Sequence, residues 1–471
     1  MTAGGPEGQP PRPAGQLLDV LGLAFGLAGS VGGTIGAGIL RTPGLVAAQL
    51  PSAPLVLGAW LLGGLYALLG AVCIAELAAS LPRAGGWYVY AERAFGRRAG
   101  ALVGTTDWLA HCIGLAWVAT TAGELLAAVL PQLSELPWLG TDHHATAGRL
   151  LALLILALFS AIQLLGVRAG GASQELLSLA KAAAFLGLVL LCFLLPTPFA
   201  PEQQPIWSWP QQLSLSHLPV AGVLALQAVI TTYDGWASPV YFAEEFSDPG
   251  RDLPRSLIGG VLAVVGLYLL INLALLHVLP LQLLAHASIP AADAARALLG
   301  PRGGQVITAV ALVALLGLIN TVVMAAPRIL YGLGRDGLLP GGIAAVNPGG
   351  TPVPALLITT GSTALLVLVG SFERLLGMGA FLYVGLPLVG VAALLQLRRR
   401  EPELARPFLS WGYPLTPLLV GGVSLAFLLA SLRSDTTNSL LAAGLVAAGS
   451  LPVLLQPAPS PQASGESGSD A

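Results

Sequence analysis

Apolar residues run along this chain in long stretches, and short segments between them gather most of the arginines, acidic side chains and prolines. A helix needs about 20 apolar residues to cross the hydrocarbon core of a bilayer. Twelve such spans are predicted, over 17–48, 54–80, 99–130, 148–166, 174–196, 218–246, 255–280, 303–333, 353–371, 375–397, 413–433 and 437–456. A short polar turn, Ser434-Asp435-Thr436, separates the last two. The expected fold class is therefore an all-α polytopic membrane protein with twelve transmembrane helices.

Two spans break the pattern. Span one carries Gly32-Gly33-Thr34-Ile35-Gly36-Ala37-Gly38-Ile39, with four glycines in seven residues. Each glycine weakens a helix interior by about 1 kcal/mol relative to alanine. Two readings stand: a helix broken so that its free N–H groups meet a ligand, or close helix packing through small residues. Span six carries Ile230-Thr231-Thr232-Tyr233-Asp234-Gly235-Trp236-Ala237-Ser238-Pro239. A charged side chain at mid-membrane costs roughly 2.5–3.5 kcal/mol on insertion scales, so it usually faces a cavity or a partner. Span one opens the first five spans and span six the next five, and they enter from opposite sides. Interrupted helices at matching positions of two halves point to a transporter site between inverted repeats. Those repeats are about 17–196 and 218–397 of a core over 17–397, followed by an inner loop and the last two helices over 398–456.

The two breaks offer complementary chemistry. The outer half of span one begins near Ala37-Gly38, where unpaired N–H groups and the positive helix end suit a carboxylate. The outer half of span six ends near Thr231-Thr232, where carbonyls suit an ammonium. Together they describe a receptor for the zwitterionic backbone of an α-amino acid. The candidate pocket residues are Thr34, Ile35, Gly36, Ala37, Gly38, Thr231, Tyr233, Asp234 and Trp236. Asp234 either caps the broken helix or reads a cationic or hydroxylated side chain.

Other polar residues extend the list of candidates for coupling and gating. Lys181, the chain's single lysine, lies about two turns into span five. It either snorkels to the inner surface or aims its ammonium at the broken part of span one. Asp107 and His111 are four apart and share a helix face, as a relay or as a structural pair lining a wet cavity. Asn320 faces the site or bonds another helix. Glu76, Arg83, Arg335 and Asp336 are expected to form an inner-face network. His143 and His144 read as solvated loop residues, and His217, His277 and His286 lack ligand spacing. Trp87, Tyr88, Trp207 and Trp209 read as interface anchors.

Composition narrows the function classes. Apolar residues make up 55% of the chain and charged residues 9%, against about 25% charged in an ordinary soluble domain. Six of the 21 basic residues, Arg41, Arg149, Arg296, Arg302, Arg374 and Arg433, fall on one side of the predicted topology and fifteen on the other. The positive-inside rule then puts both termini in the cytoplasm, with the protein in the plasma (cell inner) membrane. Residues 1–16 and 457–471 are expected to be disordered tails, the first without the basic-then-apolar order of a signal peptide. Cys73, Cys112 and Cys192 all lie in apolar spans and read as small buried hydrophobes. There is no phosphate-binding glycine loop ending in Lys-Ser/Thr, no metal-ligand spacing and no basic stripe for nucleic acid. The chain is expected to bind no cofactor or metal and not to be an enzyme.

These pieces, in order, resemble the amino acid–polyamine–organocation superfamily, and within it the L-amino-acid transporter group. The matching segments are Gly33 to Ile39 with Thr42-Pro43; Ala75-Glu76-Leu77 then Arg83-Ala84-Gly85-Gly86-Trp87-Tyr88; Tyr233-Asp234-Gly235-Trp236 then Glu244-Glu245, Ser247-Asp248-Pro249 and Asp252-Leu253-Pro254; Asn320 with Arg328 and the stretch from Gly334 to Pro340; and Arg398 to Pro407. The resemblance implies a LeuT-type fold of five-plus-five inverted repeats with helices 1 and 6 broken. It implies that N–H groups of Ala37 and Gly38 hold the substrate carboxylate, and that carbonyls of Thr34, Thr231 and Asp234 hold its ammonium. Relatives often carry a bulky aromatic gate where this chain has Thr231; Tyr233 and Trp236 are the aromatic residues nearby. In similar sodium-independent transporters a span-five lysine fills the space of a sodium ion, the part assigned to Lys181. The loop between spans three and four has no cysteine, so no disulfide-linked heavy subunit is expected. The implied function is sodium-independent exchange or proton-linked uptake of L-amino acids by alternating access. A polyamine or organic-cation carrier of the same fold and a membrane amino-acid sensor that binds without transport remain as alternatives.

Overall fold

The computed structural model describes residues 16–130, 132, 143–197, 218–370 and 372–454. Helices dominate. The first predicted span is two helices, α1 (Leu23–Thr34) and α2 (Gly38–Gln49), bent by 50° about a non-helical link. α3 (Ala53–Ser80) and α5 (Arg97–Val129) are long spans joined by the short α4 (Trp87–Phe95). α6 (His143–Leu164) and α7 (Val167–Leu194) follow. The sixth predicted span also divides, into α8 (Leu218–Tyr233) and a 3₁₀ segment (Ser238–Glu245). Beyond it come α9 (Pro249–Val278), two short helices, α10 (Leu281–His286) and α11 (Pro290–Leu299), and then α12 (Gly303–Arg335). α13 (Val353–Val369), α14 (Phe372–Arg400), α15 (Leu415–Ser434) and α16 (Thr436–Leu454) are the last helices among the described residues.

Among the described residues, eight helices are each long and apolar enough to cross a membrane, and the bent α1–α2 pair adds a ninth. Many large apolar side chains, such as Leu154, Leu176, Leu194 and Leu415, are exposed on the outer surface of the bundle. In water that surface would be unstable; in lipid it is the solvated face.

Small residues set the packing of the centre. α1 lies against α9, α7, α12 and the 3₁₀ segment. At the α1–α9 seam a Cβ on Gly26 would lie 1.9 Å from Ser256 Oγ, and one on Gly260 would lie 2.2 Å from Ser30 Oγ. Gly26 and Ser30 are four apart on one helix, and Ser256 and Gly260 four apart on the other. This is reciprocal small-residue packing of the kind that lets two membrane helices approach closely. Ahead of α1, Leu21 donates its N–H to the Glu245 carbonyl at 2.8 Å and accepts from Ser247 N at 2.9 Å. That bridge ties the start of the first span to the end of the sixth.

The structure corrects two expectations. Trp87 and Tyr88 are not interface anchors: both are buried, and the Tyr88 hydroxyl donates to Asp336 at 2.9 Å. The short helices α4, α10 and α11 were not anticipated, being too short and too mixed in polarity to register as spans. The expected tails, Trp207, Trp209 and His217, together with the side chains of His143 and His144, lie outside the described residues, apart from Gln16 at the edge of the first tail.

The α1–α9 seam yields a direct test. Gly26→Val should destabilise the protein by about 1–3 kcal/mol, the usual range for overpacking. Adding Ser256→Gly should recover part of the loss. Thermal unfolding in detergent reads both, and a Gly26→Val melting point equal to wild type would contradict the packing described.

Candidate functional site

The two breaks meet at the centre of the bundle. α1 ends at Thr34, and Ile35 turns the chain out of the helix with φ −75° and ψ 99°. α2 restarts at Gly38 with no side chain capping its N-terminus. Opposite it, residues 234–237 interrupt the sixth span, with Gly235 at φ +101°. The backbones approach so closely that a Cβ on Gly235 would lie 2.2 Å from the Gly33 carbonyl oxygen. In return, a Cβ on Gly33 would lie 2.6 Å from the Gly235 carbonyl oxygen. Positive φ and this contact both demand glycine at 235.

The glycines of span one therefore fall into two groups. Gly32 and Gly33 permit close packing. Gly36 and Gly38 do not: added Cβ atoms there would find their nearest neighbours at 3.4 Å and 3.6 Å, in ordinary contact. Gly36, Ala37 and Gly38 instead line a cavity of about 270 Å³. That size lies near the lower end of the ~300–1,000 Å³ typical of ligand pockets and suits a small solute.

Thr34, Thr231, Thr232, Tyr233, Asp234 and Trp236 also line this cavity, as does His111. Gly38, Thr231 and Asp234 are the exposed members of the set. Gly36 and Ala37 donate their N–H groups to no protein acceptor among the described residues. Ile35 is fully buried and contributes to the hydrophobic core beside the cavity. The aromatic candidates are committed to packing. Tyr233 sits edge-on against Trp60 and tilted against Tyr268, while Trp236 meets Trp87 and covers Gly70. Thr34 turns its hydroxyl back to the Ser30 carbonyl at 2.8 Å, so its hydroxyl proton is committed to its own helix.

Lys181 does not snorkel. It has no exposed surface, and its Nζ donates to the Gly32 carbonyl at 2.7 Å and the Ile35 carbonyl at 2.9 Å. Room for it is made by Gly317 on α12, where a Cβ would lie 2.4 Å from Lys181 Cε. Its ammonium thus occupies the α1 side of the break in span one. Asn320 lies away from the cavity. It accepts from Gln163 at 3.0 Å and Ser173 at 3.1 Å and donates to Gln174 at 2.8 Å, so it bonds neighbouring helices.

Asp107 and His111 do pair, at 3.1 Å, and the Tyr241 hydroxyl donates to Asp107 at 3.0 Å. His111 also meets the ring edges of Tyr241 and Tyr383. A small secondary pocket of about 40 Å³ lies between His111, Asp234, Tyr241 and Tyr383.

Sequence reading missed Tyr268. Its hydroxyl stands between the Thr34 carbonyl at 3.1 Å and the Thr232 carbonyl at 3.3 Å, one from each broken span. It also missed Tyr66, which bonds Ser424 at 2.8 Å, and Tyr383 in the cavity wall. The available signal was a lone phenol within an apolar span, as in Val264-Val265-Gly266-Leu267-Tyr268-Leu269.

The cavity wall extends along α5, α12 and α14 through Trp117, Leu318 and Leu375. A cluster of charges gathers at the arginine-bearing end of α12. Asp336 takes Arg83 at 2.6 Å and Arg335 at 3.0 Å, and Arg335 also holds Glu244. Glu76 belongs to a separate cluster, with Arg398 at 2.6 Å, Arg406 at 3.3 Å and the Ser410 N–H at 2.7 Å. The expected inner-face network is therefore two clusters. Among the described residues no group of His, Cys, Asp and Glu is placed to hold a metal ion.

Comparison with known proteins fits this arrangement. Residues 16–449 match the amino acid permease family model. The chain is 27% identical over 422 residues to the serine/threonine exchanger SteT of Bacillus subtilis, covering 89% of this chain and 92% of that protein. It is 30% identical over 386 residues to the mouse Asc-type amino acid transporter 1, covering 80% and 70%. It is 28% identical over 408 residues to the human large neutral amino acids transporter small subunit 2, covering 84% and 73%. The chain belongs to the amino acid permease family, within the amino acid–polyamine–organocation superfamily, and is an integral membrane protein.

Lys181→Met keeps the stem and removes the donors. Two buried carbonyls then lose their partner, at about 1–3 kcal/mol each. The variant should melt several degrees below wild type in detergent. An unchanged melting point would mean that the break does not depend on this ammonium.

Proposed function

Taking membership of the amino acid permease family as its premise, we propose that this chain is a secondary transporter of L-amino acids working by alternating access. The observation that carries the reading is the backbone contact of Gly33 with Gly235 beside a cavity lined by both breaks. Free N–H groups at Ala37 and Gly38 receive the substrate carboxylate, helped by the positive end of α2. The carbonyls of Thr231 and Asp234 receive its ammonium. The Thr34 carbonyl already accepts from Tyr268 and has one lone pair left for this task. No covalent bond changes, so the chain acts as a carrier and not as an enzyme.

The finer architecture belongs to the same proposal. α8, α13 and α16 complete twelve crossings, and residues 17–196 and 218–397 form inverted five-helix repeats. The arginine-bearing ends face the cytoplasm, with both termini. The Arg83–Asp336–Arg335–Glu244 cluster then closes the inner side, and the cavity belongs to an outward-facing form. Lys181 stands where a coupling cation would otherwise bind, which supports sodium independence. Asp107 and His111 are the groups available to a proton-linked cycle. One relative's name makes it a small subunit. The sequence between α5 and α6 has no cysteine, so this chain is proposed to work without a disulfide-linked partner.

One observation favours a second reading. Asp234 presents a carboxylate to the cavity, as a carrier of polyamines or organic cations would require. Counterflow in proteoliposomes separates the possibilities. Vesicles loaded with unlabelled amino acid should accumulate the labelled form transiently, equally well in sodium and in potassium. Putrescine inside should fail to drive that accumulation. Binding without uptake would overturn the transporter in favour of a sensor, and counterflow driven only by putrescine would favour the cation carrier.

A further inference from the structure

Beside the lysine, α7 presents a row of polar side chains that substrate binding does not use. Gln174, Ser178 and Lys181 lie at i, i+4 and i+7, one face of a helix. Each donates to a backbone carbonyl of span one. Gln174 Nε2 reaches the Ala28 carbonyl at 3.2 Å, Ser178 Oγ reaches the same oxygen at 2.8 Å, and Lys181 reaches those of Gly32 and Ile35. The accepting residues 28, 32 and 35 are themselves at i, i+4 and i+7. Gly32 makes the approach possible: a Cβ there would lie 2.0 Å from Gln174 Nε2 and 2.6 Å from Ser178 Oγ. Behind the row, Asn320 of α12 donates to Gln174 Oε1, and Gln163 of α6 donates to Asn320.

We propose that this row is a latch holding the inner half of span one, and that Gln174 and Ser178 are positioning residues that set the balance between inward- and outward-facing forms. This rests on the transporter reading above. A carbonyl inside a helix has a second lone pair beyond its intrahelical bond, so Ala28 can accept from Ser178 without loss of the helix, while Gln174 Nε2, 3.2 Å from the same oxygen, also donates to Ser178 Oγ at 3.1 Å. The same donors stay satisfied when span one departs, because water entering from the arginine-rich side replaces the carbonyls. An apolar seam would have no such second state: its opening would expose hydrocarbon to water. The latch is therefore closed by backbone and open by solvent, with neither state leaving a buried donor bare. Asn320 acts through Gln174, which it fixes in the orientation that points Nε2 at span one.

The test uses the full chain with Cys73, Cys112 and Cys192 replaced by alanine and Gly29→Cys introduced. Gly29 is buried on the inner half of span one, and an added Cβ meets its nearest neighbour only at 3.9 Å. A membrane-impermeant maleimide is added to vesicles with the arginine-rich face outward. Gln174→Leu with Ser178→Ala should raise the labelling rate at least fivefold, and Ser178→Thr should keep the wild-type rate. Asn320→Leu should also raise the rate, yet add little on top of Gln174→Leu. Should the double variant not fold, Ser178→Ala against Ser178→Thr carries the same comparison. Labelling unchanged in folded Gln174 and Ser178 variants, or an Asn320 effect fully additive with that of Gln174, would overturn the latch. Counterflow by the wild-type chain is read separately, so failure of the transporter reading and failure of the latch are distinguishable.

Discussion

Two interrupted helices meet backbone to backbone at their breaks, Gly33 against Gly235, and the rest of the centre follows from that contact. Breaking a membrane helix frees N–H and C=O groups, and lipid cannot satisfy them. The fold answers by placing the breaks together and supplying partners from outside. Lys181 takes the carbonyls of Gly32 and Ile35, and the single hydroxyl proton of Tyr268 is shared between the Thr34 and Thr232 carbonyls, one from each break. Among the described residues, what stays open are the N–H groups of Gly36, Ala37 and Gly38, which line the cavity. Protein groups therefore satisfy one side of the break and leave the other open to the cavity.

Glycine and polar chemistry alternate in this centre for a common reason. Gly317 lets Lys181 reach span one, Gly32 lets Gln174 and Ser178 approach, and Gly26 and Gly260 let α1 and α9 close on each other. Each missing side chain admits a specific neighbour. The ionic clusters lie instead at the arginine-bearing ends of the helices. The Arg328–Glu245 and Asp107–His111 pairs are buried instead, the first held bidentate and covered by Phe242.

Hydropathy made most of the fold legible. Predicted limits such as 54–80 and 303–333 fall within two residues of α3 and α12, because an apolar stretch of that length in lipid has few alternatives to a helix. The breaks were legible too, as glycine density in span one and as Asp-Gly with a nearby Pro in span six. Partnership was harder to read. Nothing local to Asn320 says that it bonds Gln163, Ser173 and Gln174 and avoids the cavity, since those partners lie about 150 positions away. Tyr268 was missed because a phenol in an apolar span looks like packing until a second broken helix stands beside it. Trp87 and Tyr88 misled for the opposite reason: their place beside a loop suggested the interface, whereas α4 folds inward.

The central claim is that the paired breaks recognise both ends of one zwitterion. The most direct measurement is competition for binding to the purified protein among an amino acid, the amine left by removing its carboxylate, and the acid left by removing its amino group. The amino acid should compete, and each truncated analogue should lose at least two orders of magnitude in affinity. Equal competition by either analogue would contradict the claim, because one of the two breaks would then contribute nothing to recognition.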